Sequence, residues 1–296
     1  MADKFPTPAV HGLMVICAAL VSTSFVVGKA ITYGLDPAAL TLARFIAAGL
    51  LFSPYIFFKY GLKPPSPKDL ARYGAVSLAI TTFFWCMFTS LRYTSSLNTS
   101  IIYTLVPGLA GIYGAVLLRE RLRPRRVFAL LFCMFGALWV IFRGNIDLMM
   151  ALSFNKGDLI FLAGCLAMGL YTPLVRLLHR GEPMPVMTFW VMITGSVWLL
   201  ILTGPKLLTI DWPAVEPVIW AGIIYLAVFT TIITFFLTQF STIHIGPTRV
   251  MAYSYLYPLL VIIMEWSLGH GLPPLSTLPG VVIVLAAMPV LQRGGS

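Results

Sequence analysis

Residues 96–107 read SLNTSIIYTLVP, and residues 247–258 read PTRVMAYSYLYP. Both stretches carry polar side chains near their start, reach a tyrosine or serine four residues before a proline, and sit in apolar segments of membrane length. Proline supplies no N–H and crowds the preceding turn, so a helix loosens about one turn upstream, here around Tyr103 and Ser254. Loosened backbone at membrane depth persists only where protein or a water-filled cavity covers it. The two stretches therefore predict a pair of hinges, at Pro107 and Pro258, with the polar residues before each facing a cavity.

The rest of the chain is as apolar as these segments. Of its 296 residues, 59% are hydrophobic and 10% charged, against about 25% charged in soluble domains. That balance excludes a soluble fold and predicts an all-α integral membrane protein. A helix of about 20 apolar residues can cross the bilayer because it satisfies its own backbone there. Ten transmembrane helices are expected, near 10–33, 38–59, 70–92, 97–118, 126–142, 157–179, 186–203, 215–240, 248–269 and 277–291. The first is too long for a cleavable signal and lacks a clear small-residue cleavage site, so it is expected to stay as a helix. Cys17, Cys86, Cys133 and Cys165 all fall within spans, with neither metal-ligand spacing nor a disulfide framework. They read as small apolar fillers, and no metal or cofactor is expected.

The net charge of +10 is unevenly spread. With the N-terminus cytoplasmic, the inside segments hold Lys4, Lys59, Lys63, Lys68, Arg72, Arg119, Arg121, Arg123, Arg125, Arg126, Arg176, Arg180 and Arg293. The outside edges hold Lys29, Arg92, Arg143, Lys156 and Lys206. That asymmetry follows the positive-inside rule and predicts a multi-pass protein of the inner cell membrane with both termini cytoplasmic. The run RERLRPRRV at 119–127 is then a cytoplasmic loop. The expected partner is the lipid bilayer, not nucleic acid.

The spans divide at the polar loop RGNIDLMMALSFNKGD, 143–158. This gives a first five-helix repeat at 1–145, a connecting loop at 146–155 and a second repeat at 156–296. An odd number of spans per half inverts the second copy, an architecture of secondary transporters whose substrates bind near the midplane between the repeats. The opening spans of both halves are rich in small residues, CAALVSTSFVVGK at 17–29 and LAGCLAMGLYTPL at 162–174. Aligning the two prolines pairs Asn98 with Arg249 and Phe84 with Phe235. The inversion puts Asn98 and Thr99 at the outer mouth and Thr248 and Arg249 at the inner one. These four are gate candidates, with the prolines as hinges.

VSTSFVVGK (21–29), ALTLARFIAAGLL (39–51), SLRYTSSLNTS (90–100) and YTLVPGLAGIYGAVLLRERL (103–122) carry a family likeness, echoed at 239–258. The chain resembles the drug/metabolite transporter superfamily, and within it the ten-helix EamA-type exporters that include bacterial exporters of aromatic and neutral amino acids. The likeness covers the whole chain, and the proline followed by a loop bearing Glu120 is its most specific feature. The loop LGHGL at 268–272 departs from it, with His270 where a glutamate is often seen. The resemblance implies transport by alternating access without covalent chemistry, through a pocket lined by spans 1, 3, 4, 6, 8 and 9.

Substrate contacts are expected from Ser24, Met168 and Tyr171 on the opening spans and from Tyr103 and Ser254 before the prolines. TTFFWCMFTS (81–90) and TTIITFFLTQ (230–239) interleave aromatics with threonines, which suits an amphipathic solute. They add Phe84, Trp85, Phe235 and Thr238. Ser22, Thr23 and Ser24 equally allow close helix packing. Glu265, a carboxylate well inside a span, reads as a locally paired structural group. Lys29 and Arg249 read as snorkelling anchors. Arg44 lies too far from a span end for that; it either caps helix termini across the bundle or pairs with Glu265.

The expected function is export of amino acids or similar small metabolites by a monomer. Transport is expected to be facilitative, because the pocket reads as neutral. A sugar-phosphate or nucleotide-sugar carrier needs paired cations deep in the pocket. A proton-coupled drug exporter needs a carboxylate in the first span, and residues 10–33 have none. An intramembrane enzyme is disfavoured. The four histidines lack HExxH spacing, Glu265 has no second buried acid, and Ser24 and Lys29 do not share a helix face.

Overall fold

Polar side chains at the ends of the apolar runs set where the helices begin. Asp36 Oδ1 accepts from the Ala38 amide at 3.0 Å, just ahead of Pro37. Ser66 Oγ accepts from Asp69 N at 3.2 Å, Ser95 Oγ from Asn98 N at 3.1 Å, and Asn155 Oδ1 from Gly157 N at 2.8 Å. Each satisfies an amide that the first helical turn leaves without a partner.

The computed structural model describes residues 7–61, 64–118, 124–142, 144–147, 155–204, 206–245, 250–251, 253–272 and 275–293. Among them no strand occurs, and ten helical rods can be followed. They are α1 (Thr7–Ile31), α2 (Pro37–Tyr60), α3 (Pro67–Ser90), α4 (Ser96–Leu117), α5 (Pro124–Ile141), α6 (Lys156–Leu178) and α7 (Met184–Thr203), followed by α8 (217–245), α9 (253–267) and α10 (Leu278–Arg293). Seven of the described helices are long and apolar enough to cross a membrane by length and composition. The chain is an all-α, multi-pass membrane protein. The eighth span runs to Ile245, a turn beyond the expected 240. Thr248, Arg249 and Glu120 lie outside the described residues.

The rods alternate in direction, so the bundle has a near end, where α1 begins, and a far end, where α1 finishes. Packing between the halves repeats itself in inverted sense. α3 lies along α6 as α8 lies along α1; α4 packs on α6 as α9 packs on α1; α3 meets α7 as α8 meets α2. α2 with α7, and α5 with α10, pair across the same two-fold relation. This is the arrangement of two inverted five-helix repeats. Small residues allow the close approaches: a Cβ on Gly164 of α6 would stand 2.7 Å from Cys86 Cβ of α3.

Both prolines break their helices, and both breaks take the same form. α4 tightens into a 3₁₀ turn at Tyr103–Leu105 before Val106–Leu117, which carries Pro107. α9 has a 3₁₀ turn at Tyr253–Leu256 before Tyr257–Ser267, which carries Pro258. In α4 the tightening re-pairs the carbonyl that the proline deprives of its donor. Val106 N–H donates to Tyr103 O, an i to i+3 bond in place of i to i+4. The Tyr103 carbonyl is therefore not a free acceptor. The two breaks meet at the centre of the bundle, where the Tyr103 and Tyr257 rings lie 5.4 Å apart.

Candidate transport cavity

Between the halves lies a cavity of about 410 Å³. Its inner wall is aromatic: Phe25, Phe83, Tyr103 and Tyr257 line it, with Phe83 and Tyr103 edge-to-face at 5.5 Å and Phe25 and Tyr103 at 6.0 Å. From there the walls extend to the near end through Met14 and Cys17 of α1, Val175 and Arg176 of α6, Met184 of α7, and Val250 and Met251 before α9. Arg176 is exposed, so the cavity reaches the near-end surface. Of the spans expected to line it, all six contribute; α2 and α7 add themselves through Arg44 and Met184.

Eight of the nine expected substrate contacts line this cavity: Ser24, Phe84, Tyr103, Met168, Tyr171, Phe235, Thr238 and Ser254. Trp85 does not. It projects from another side of α3 and is 37% exposed, because neighbouring helix positions point about 100° apart. Pro107 lines the cavity, whereas Pro258 is buried away from it. Asn98 and Thr99 lie at the far end, outside the cavity wall. Asn98 Nδ2 donates to Thr94 Oγ1 at 3.3 Å, and Thr99 is buried with its hydroxyl bonded to the Ser96 carbonyl at 2.8 Å.

Arg44, expected either to cap helix termini across the bundle or to pair with Glu265, lies in the cavity wall. It is fully buried. It does not pair with Glu265, which is bonded to His270 at 2.5 Å. Arg44 Nε instead donates to Thr231 Oγ1 at 3.0 Å, and Nη2 to Thr230 O and Oγ1 at 3.2 and 3.1 Å. Its guanidinium stacks over the Phe84 ring at 4.2 Å. The two threonines belong to a π-helical turn, Val228–Ile233, in the middle of α8. π-turns inside α-helices release carbonyls from the regular ladder and recur at functional sites. No acidic side chain lines the cavity among the described residues, and two arginines do. The expectation of a neutral pocket is thus corrected: the wall is cationic.

The far end is closed by hydrogen bonds among helix ends. Lys29 Nζ donates to Leu91 O at 2.6 Å and Thr94 O at 3.0 Å. Arg92 Nη2 donates to Thr32 O and Leu35 O, both at 2.7 Å. Thr94 Oγ1 donates to Asp158 Oδ1 at 2.6 Å, and Asn155 Nδ2 to Tyr93 O at 2.9 Å. Lys29 is therefore a cap on the end of α3 and not a snorkelling anchor. Cations suit this position, since the carbonyl end of a helix carries partial negative charge.

A family model described as the EamA-like transporter family matches residues 10–142 and again residues 155–291. The chain belongs to this family. As an EamA-like transporter it moves solutes across a membrane and is not an enzyme. It is 25% identical over 260 residues to an uncharacterized transporter of Bacillus subtilis, YyaM, covering 86% of this chain and 84% of that one. An uncharacterized transporter of Archaeoglobus fulgidus is 22% identical over 282 residues, with 94% and 95% covered. One solved crystal structure matches 97% of this chain and 98% of its own with a TM-score of 0.64 at 17% identity, a likeness of fold.

Proposed function

We propose that this EamA-like transporter exports amino acids or similar small metabolites by alternating access, as a facilitative carrier. The observation that carries the reading is the cavity of about 410 Å³ between the inverted repeats, aromatic at its inner wall and reaching the near end. Its size lies in the roughly 300–1,000 Å³ range of small-molecule sites, and its position is that of substrate sites in inverted-repeat transporters. The charge distribution supports a cytoplasmic near end, with both termini there and the protein in the inner membrane. Residues 1–145 and 156–296 then act as the two repeats, within one monomer. Glu265 favours facilitation over proton coupling, because it pairs with His270 away from the cavity. Counterflow in proteoliposomes against a panel of labelled amino acids tests the reading. Exchange of at least one of them is expected, and exchange of none overturns it.

A further inference from the structure

Among the described residues, Arg44 is a charge without a counter-charge. Its Nε and Nη2 hydrogens are taken up by the two threonines of the π-turn. Those threonines have spent their own hydroxyl protons on Leu226 O, at 2.9 and 3.0 Å, so their oxygens are free to accept. The guanidinium is thereby fixed in direction, with Phe84 beneath it. Nη1 is left over. It is buried and has no hydrogen-bond partner among the described residues, on a side chain that lines the cavity and makes no ion pair among them. The Thr172 hydroxyl, on the same cavity wall, is buried and unpartnered as well.

A guanidinium buried in a membrane protein is costly unless something neutralises it, and an ionisable group inside a span is by default tied to function. Phe84 and the threonines offset part of that cost, but they are neutral. We propose that Nη1 of Arg44 receives the carboxylate of the transported solute. The site then selects organic monoanions with an apolar, preferably aromatic, body, and the amino group of an amino acid is dispensable. The proposal rests on the transport reading and narrows it. One remaining guanidinium nitrogen, carrying two N–H donors, fits a carboxylate. The other cavity arginine, Arg176, is exposed in the last turn of α6 at the near end, so Nη1 would meet a phosphate dianion with one positive charge. The absence of acidic side chains from the described wall leaves an ammonium group without an ionic partner, while Phe25, Phe83, Tyr103 and Tyr257 receive the apolar body.

The experiment uses 3-phenylpropionate, its neutral amide, phenylalanine and inorganic phosphate as probes on the purified full chain, read by thermal shift. The acid should half-saturate at a concentration at least tenfold below that of the amide, phenylalanine should bind no more tightly than the acid, and phosphate should have no effect. Arg44→Gln should abolish the preference for acid over amide, and Arg44→Lys should keep part of it. Equal binding of acid and amide by the wild-type protein overturns the proposal, even if the Arg44 variants fail to fold. Tighter binding of phosphate, or an acid preference that survives Arg44→Gln, overturns it too. Counterflow separates the two readings. An acid that binds through Arg44 but never exchanges across the bilayer removes transport and leaves the site, whereas amide exchanging as fast as acid removes the site and leaves transport.

Discussion

At the far end of the bundle the last turn of α1 is tied to the last turn of α3, while at the near end the last turn of α6 stands at the mouth of a cavity. The same device sits in both places. Lys29 is the basic residue in the last turn of α1, and Arg176 is the basic residue in the last turn of α6, the counterpart of α1 in the inverted repeat. Lys29 caps the carbonyls of Leu91 and Thr94, whereas Arg176 is exposed beside Val175 in the cavity wall. At the near end α1 and α9 are joined by His11 Nδ1 and the Tyr253 hydroxyl at 2.5 Å. The cavity passes between that pair of helices and the α6–α7 corner. Two halves of related design therefore hold different contacts in one conformation. On the proposed mechanism they exchange those contacts when the carrier turns.

The largest expected effect comes from wedging the closed end apart. A Cβ on Gly157 would stand 2.9 Å from Ser90 O and 3.0 Å from Thr94 Cβ. Overpacking costs about 1–3 kcal/mol, so Gly157→Val should lower the thermal midpoint by roughly 5 °C and stop counterflow. Gly12, on the near-end turn of α1, has nothing within 4 Å. Gly12→Ala should leave both measurements unchanged or add up to about 1 kcal/mol of helix stability. Similar losses from the two would mean that the ends do not differ as described.

A smaller effect is expected from the caps themselves. Lys29→Met removes two charged hydrogen bonds, each worth about 1.5–3 kcal/mol. With the native cysteines replaced, a cysteine at position 98 should then react at least about tenfold faster with a water-soluble thiol reagent, the change that losing one such bond gives. Arg176→Met acts on the end that is already open and should not accelerate that reaction. Equal acceleration by both variants would break the comparison. Slower reaction in Arg176→Met than in the parent would sharpen it.

The smallest effect belongs to Glu265. It lies in α9 toward the far end, 23% exposed and paired with His270. Glu265→Gln should keep counterflow within about twofold, as do most changes away from buried networks. An imposed pH gradient should drive no accumulation in either protein. Gradient-driven uptake that disappears in Glu265→Gln would make this residue a coupling site and give the far end a second role.

The sequence by itself determined the ten spans, their division into inverted halves and the two breaks at Pro107 and Pro258. These depend on local chemistry: run length against bilayer thickness, an odd span count, and a missing N–H. The form of the break in α4 differs from the loosened turn expected: the backbone tightens into a 3₁₀ turn that re-pairs the stranded Tyr103 carbonyl. Only the tertiary structure decided which faces of the helices meet the cavity. Phe84 and Trp85 are neighbours of similar hydrophobicity, and one lines the cavity while the other faces outward. In a soluble helix the polar stripe would mark the outer face; here lipid is as apolar as the core, and the pattern is erased. The partners of Arg44 were hidden for a related reason. They are two hydroxyls and a carbonyl in a π-turn 186 and 187 residues away, and no charge pattern announces a cation whose ligands are neutral. Lys29 and its two carbonyl acceptors were equally silent, because every residue has a carbonyl and only the packing of helix ends brings two of them to one ammonium.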